Sequence, residues 1–223
     1  MVEIALILSS WNRPNLMPKT VDSILRQTFT DWRLYVIENS NLPHRTATTS
    51  FLQNCNDKRV NPIFVHDRQL KIGEAYNMGI DMLKEEQYVM FCSDDVILIP
   101  NKLELLHNFL LANPDKHMVC GILHVLEGNT PVIAFGNFEW HHTGSCVINL
   151  CQPMMRRRII NEVGKFRVLD AYGATGPDAD YFSMIAERGY KLYSVQVPLD
   201  ITQRRTYANY ELWLQSTKGG LYE

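Results

Sequence analysis

The chain has 223 residues, 46% of them hydrophobic, and a formal net charge of −2. That is enough apolar material for one large domain, and the near-neutral balance gives no reason to expect nucleic acid or an acidic membrane surface as a partner. The five cysteines (55, 92, 120, 146 and 151) show no Cys-x-x-Cys spacing, which speaks against a disulfide framework or structural zinc and fits a reducing, cytoplasmic setting. The apolar run at 4–8 is too short for a secretory leader, with Glu3 standing where basic residues belong. No uncharged stretch approaches the ~20 residues of a membrane-spanning helix.

In chain order, Ile-Ala-Leu-Ile-Leu at 4–8 predicts a buried strand, followed by the turn Ser9-Ser-Trp-Asn-Arg-Pro14. Met17, Val21, Ile24 and Leu25 recur at helical spacing. Residues 32–37 predict a second strand ending in Glu38-Asn39-Ser40-Asn41, then a polar helical stretch and a short strand at 63–65. Residues 73–83 predict a helix with Ala75, Met78 and Met82 on one side. The apolar run 88–92 predicts the central strand; it halts at Asp94 and Asp95, before a helix over 102–111. Further strands are expected at 118–125, 131–135, 144–149 and 192–197, and helices at 156–163 and 178–188, the last closed by Gly189. Residues from 207 onward, with Tyr210, Leu212, Trp213 and Leu214, read as a tail packed on the body, a lid or partner contact being the alternative. Strands alternating with helices at this spacing imply βαβ units, hence an α/β fold with a mostly parallel central sheet flanked by helices.

Ligands gather at the carboxyl ends of parallel strands, where two adjacent ionised carboxylates need a counter-charge. A Mg²⁺ or Mn²⁺ ion shared with a phosphate supplies it, because these ions prefer oxygen ligands and retain waters or substrate phosphates. A solvated Asp-Asp turn is the plainer alternative. Residues 9–14 contain no glycine, so neither a Gly-x-Gly-x-x-Gly turn nor a P-loop follows the first strand. That shifts the task of holding phosphates towards a metal at Asp94 and Asp95.

Several segments resemble glycosyltransferase family 2, inverting enzymes of the GT-A fold. They are Ile7-Leu-Ser-Ser-Trp-Asn-Arg13, Ser23-Ile-Leu-Arg-Gln-Thr-Phe29, Leu34-Tyr-Val-Ile-Glu-Asn-Ser-Asn41, Gly73-Glu-Ala-Tyr-Asn-Met-Gly79, Ser93-Asp-Asp95 and Ile99-Pro-Asn-Lys-Leu103. Trp140, Cys146, Cys151 and Met154 resemble a pattern in the spore-coat polysaccharide branch of that family. The resemblance spans roughly residues 3–200 and implies one GT-A domain over 1–223, with 1–98 binding the nucleotide-sugar and 99–223 the acceptor.

Carried over position by position, the resemblance implies that Ser9, Trp11, Glu38, Asn39, Asn77 and Asp94 hold a nucleoside diphosphate sugar, with UDP favoured, and that Asp95 holds Mn²⁺ or Mg²⁺. Trp11 offers a face on which a base can stack, a loop anchor being its alternative. Asn39 stands where the family has a base-reading Asp; its amide can accept the uracil imide proton but also serve another base. Cys92 replaces the first acid of the family's metal motif and reads as an inert core thiol. Lys71 and Arg68 are candidates to add charge on the diphosphate, against a solvated loop. Inverting transfer to a saccharide or other hydroxyl acceptor needs one carboxylate to take the hydroxyl proton. In Gly176-Pro-Asp-Ala-Asp-Tyr-Phe182, Asp178 occupies the family's base position. Asp180 lies about 200° around the helix from it and reads as a first-turn acid complementing the dipole.

His141-His142 reads as acceptor-loop packing, with ligand duty as the alternative. Arg156-Arg-Arg158 and Arg204-Arg205 read as solvated faces, with an anionic acceptor, nucleic acid included, as the alternative. Two other activities stay open: a sugar-phosphate nucleotidyltransferase, against which the glycine-free turn counts, and a catalytically dead nucleotide-sugar-binding module.

Overall fold

The computed structural model describes residues 2–127, 130–135, 151, 153–169 and 176–203. The strand expected at 144–149 and the tail from 207 lie outside them.

The first strand, β1 (Ile4–Ser10), is buried on both faces because successive side chains enter two different cores. Ile4, Leu6 and Leu8 enter one core, Ala5 and Ile7 the other. Strands β2 (Trp32–Glu38) and β4 (Tyr88–Ser93) flank β1 in parallel, with Leu6 opposite both Leu34 and Met90. They repeat the alternation. Trp32, Leu34, Val36, Tyr88, Met90 and Cys92 join the first core, and Tyr35, Ile37, Val89 and Phe91 the second. Helices on both faces explain why these strands read as unbroken apolar runs. The first core is closed by α1 (Met17–Leu25), α2 (His44–Gln53) and α4 (Lys102–Ala112). The second is closed by α3 (Ile72–Asp81), α5 (Arg157–Val163) and α6 (Gly176–Glu187).

The remaining strands are β3 (Val60–Phe64), β5 (Val96–Leu98), β6 (Met118–Glu127), β7 (Thr130–Phe135), β8 (Met154–Arg156) and β9 (Leu192–Gln203). Among the described residues the sheet order is β3-β2-β1-β4-β8-β6-β9-β5, with β7 paired to β6. Pairing is parallel from β3 to β4 and between β6 and β9; β5, β7 and β8 join antiparallel. The fold is therefore the expected α/β type. The three-residue β5 is not expected from the sequence, and three further details differ from expectation. β3 starts three residues early and runs through Pro62, which an edge strand tolerates because its outer N–H is not needed in the ladder. β8 has three residues, too few to show a period of its own. β9 continues to Gln203 past Pro198, where its pairing with β6 is irregular.

Two close contacts fix how the layers stack. A Cβ on Gly79 of α3 would lie 2.2 Å from Ile7 Cγ2, so this helix sits against β1 at a distance only glycine permits. On the other side, Lys102 at the start of α4 is fully buried and its ammonium donates to Asp200 of β9, also fully buried, and to the Cys151 carbonyl at 3.2 Å. Burial pushes the Asp200 carboxyl up to about 6, against the pull of Lys102. Its Oδ2 has no hydrogen-bond partner among the described residues.

A buried pair with one unmet oxygen costs more to break than to remove. Lys102→Met should lose ~3–5 kcal/mol by leaving a buried uncompensated carboxylate, and Lys102→Met with Asp200→Leu should recover most of it. Urea unfolding of the single and double variants reads this directly. A double variant as unstable as the single would assign the cost to packing instead.

Candidate active site

The three parallel strands end level with one another. Ser9 pairs with Ile37 and Ser93, and Ser10 with Glu38, so the loops after β1, β2 and β4 converge. Backbone and side-chain hydrogen bonds join them. The Asn39 N–H donates to the Ser10 carbonyl at 3.1 Å. The Asn12 N–H donates to Ser40 Oγ at 2.9 Å, and Asn12 Oδ1 accepts from the Asn41 N–H at 2.8 Å. Asn12 has φ +56°, a left-handed conformation in which Asn is enriched. Ser9 is half-buried at this edge, and the Trp11 side chain is exposed (46%), leaving its indole free of the core.

Asp94 and Asp95 lie where the strands end, only 3% and 6% exposed. The Trp11 N–H donates to Asp94 Oδ2 at 3.1 Å. Arg13 Nη1 reaches both carboxylates, Asp94 Oδ1 at 2.6 Å and Asp95 Oδ2 at 3.0 Å. Burial raises the Asp94 carboxyl above its ordinary value, Arg13 pulls it down, and the Asp95 charge raises it further. Among the described residues no group of three His, Cys, Asp or Glu side chains is arranged to hold a metal ion. The donor set offered is two hard carboxylates, which fits a Mg²⁺ or Mn²⁺ ion completing its shell with phosphate oxygens and water. Cys92 is buried below them, and desolvation pushes its thiol up to about 12, as an inert core cysteine requires.

Asp178 stands in the first turn of α6. Tyr181 and Phe182, three and four residues on, share its side of the helix and are buried. The Tyr181 ring stacks on Phe166 with centroids 3.8 Å apart, and Phe166 meets Phe91 of β4 edge-on at 5.1 Å. This aromatic stack packs the Tyr181 side of α6 against β4. Burial, followed by the nearby Cys151 thiol and Asp178 carboxylate, pushes the Tyr76 phenol well above its ordinary value; its hydroxyl donates to the Cys92 carbonyl at 3.2 Å. Burial and then Asp178, Cys92 and Asp95 do the same to the Cys151 thiol. Asp180 points elsewhere and pairs with Arg167.

Other residues expected to meet the donor are engaged within the protein. Glu38 is fully buried; its Oε1 accepts from the Ser40 N–H and Thr48 Oγ1, and its Oε2 meets His66 Nε2. Asn39 Nδ2 donates to the Val65 and Arg68 carbonyls at 2.5 and 2.7 Å, while its Oδ1 accepts from the Leu70 N–H at 2.7 Å. Asn77 pairs with both backbone groups of Phe166, at 2.9 and 2.8 Å. In this structure the hydrogen bonds of these three side chains tie neighbouring segments together. Arg68 pairs with Glu74, and the Lys71 ammonium reaches the Leu169 carbonyl at 3.3 Å. Trp140, His141, His142, Cys146, Arg204 and Arg205 lie outside the described residues. Sequence reasoning passed over Arg13 as a site residue, although a basic residue five positions past an apolar strand is a visible signal for counter-charge.

A family model described as Glycosyl transferase family 2 matches residues 5–170. The chain belongs to glycosyl transferase family 2. It is similar to Protein CgeD of Bacillus subtilis (20% identity; 71% of this chain, 39% of that one). It is also similar to the putative colanic acid biosynthesis glycosyl transferase WcaA of Escherichia coli (24% identity; 49% and 42%). The chain thus spans about two fifths of these relatives. Among solved structures, the mannosyltransferase PcManGT of Pyrobaculum calidifontis, in complex with GDP-Man and Mn²⁺, superposes with TM-score 0.68 (13% identity; 99% of this chain, 66% of that one). Residues 1–349 of S. aureus TarS, in complex with UDP-GlcNAc, superpose with TM-score 0.67 (12% identity; 91% and 59%). The shared fold is GT-A.

For this family 2 domain, Asn39 makes a sharp test. Asn39→Asp keeps shape but turns a carboxylate towards the Val65 and Arg68 carbonyls, which lose their donor. It should destabilise the protein by ~1–3 kcal/mol and speed hydrogen exchange at the Leu70 amide. Unchanged stability and exchange would show that segment 65–70 is held by other contacts.

Proposed function

We propose that this domain transfers a sugar, with inversion, from a nucleoside diphosphate donor to a hydroxyl acceptor. Residues 1–98 serve the donor and 99–223 the acceptor. The observation that carries this reading is the buried carboxylate pair Asp94 and Asp95 at the ends of the parallel strands, beside the exposed indole of Trp11.

Asp95 would hold a divalent ion together with the donor diphosphate. Such an ion neutralises the charge that develops on a leaving diphosphate without proton transfer. Trp11 presents its exposed indole to the nucleoside base. Asp178 accepts the proton of the acceptor hydroxyl as its oxygen attacks the anomeric carbon from the side opposite the leaving group. Asp180, held by Arg167, takes no part. UDP is the first donor nucleotide to test; support comes from a structural neighbour solved with UDP-GlcNAc, while another neighbour solved with GDP-Man makes GDP the comparison.

A nucleotide-sugar-binding module without turnover is the second reading, favoured by the departures from the family pattern at Asn39, Cys92 and Pro177. Slow metal-dependent hydrolysis of the sugar donor separates the two. The module would bind and leave the donor intact.

Asp178→Asn should lower turnover by ~10²–10⁴-fold with donor affinity unchanged, whereas Asp180→Asn should retain it. Paired measurement of donor hydrolysis and of UDP affinity checks both; the reverse pattern would move the base to Asp180. Asp95→Ala should abolish Mn²⁺-dependent UDP binding in calorimetry, and binding equal to the parent would remove Asp95 from the metal.

A further inference from the structure

The two carboxylates at the end of β4 already have a cation. Arg13 Nη1 bridges them, at 2.6 Å from Asp94 Oδ1 and 3.0 Å from Asp95 Oδ2. The Arg13 side chain is 24% exposed, the carboxylates 4% and 6%, so the guanidinium comes from the solvent side onto a nearly dry pair. Its position is imposed by the loop. Trp11 is tied through its N–H to Asp94, Asn12 is tied to residues 40 and 41, and the Arg13 carbonyl accepts the Leu16 and Met17 N–H groups at the entry to α1.

We propose that Arg13 is a resident counter-cation that a divalent ion must displace from Asp95. The inference rests on the metal reading of Asp95 given above. The two contacts are unequal, and the longer is the one to Asp95. Arg13 keeps Asp94, and with it the loop, while Asp95 is released to the metal. An arginine cannot give up its charge by losing a proton, so it competes with a metal at every physiological pH. The free protein consequently holds Mn²⁺ weakly. The metal arrives with a diphosphate, whose oxygens supply ligands that outweigh the lost ion pair and offer the guanidinium a second anion.

The test is a Mn²⁺ titration of the whole chain followed by electron paramagnetic resonance, which counts free Mn²⁺ and needs no turnover. It compares the parent, Arg13→Gln, Arg13→Lys and Asp95→Ala, each with and without UDP. An opposite charge in direct contact shifts cation affinity at a carboxylate by ~10-fold or more. Arg13→Gln should therefore bind Mn²⁺ at least about tenfold more tightly than the parent without UDP. Arg13→Lys, which keeps the charge, should stay near the parent and shows that the loop still folds with residue 13 changed. Asp95→Ala should lose the ion. Equal or weaker Mn²⁺ binding in Arg13→Gln, with Asp95→Ala still losing the ion, overturns the role of Arg13 and leaves the metal reading intact. No Mn²⁺ binding by the parent or by Arg13→Gln, even with UDP, overturns both.

Discussion

Two carboxylates side by side, almost out of reach of water, repel each other strongly, and the protein ends its central strand on such a pair. Everything around Asp94 and Asp95 is arranged to tolerate them. The turn after β1 carries Arg13 into contact with both, the Trp11 N–H caps a third oxygen, and Asn12 adopts a left-handed conformation that lets the turn close. The loop after β2 is then built against that turn through Ser40 and Asn41. One unfavourable charge arrangement thus dictates the shape of two loops remote in sequence.

Beneath this site runs a second polar device of opposite character. Lys102 and Asp200 are enclosed by the apolar first core and join the start of α4 to β9. The ammonium also holds the Cys151 carbonyl and so fixes this residue from the core side. Such pairs contribute little net stability compared with an apolar replacement; what this one supplies is the position of Cys151.

The strands and helices that build the two cores were legible because burial on both faces leaves an unbroken apolar run, as in β1 and β4, and helical spacing leaves Met17, Val21 and Ile24 on one side. Short β8 and the edge strand β3, with its proline, carry neither signal. In the site, the clustering of Asp94, Asp95 and Trp11 at strand ends followed from the α/β pattern. The engagements of Glu38, Asn39 and Asn77 did not. Apart from the Glu38 contact with the Ser40 N–H, these depend on partners 10 to 89 residues away, which no local pattern encodes. A side-chain amide looks the same in a sequence whether it faces a nucleotide or a backbone carbonyl.

The clamp between α3 and residues 166–169 bears on how the molecule can open. Asn77 grips Phe166 by both backbone groups, Lys71 reaches Leu169, and the Tyr181 hydroxyl donates to the Gly164 carbonyl. α6 is therefore bolted through this segment to a helix that lies flush on β1 at Gly79. A hinge between the strand ends and α6 would have to tear these contacts together. The placement of α6 against the sheet is accordingly set when the chain folds and is a property of the resting framework.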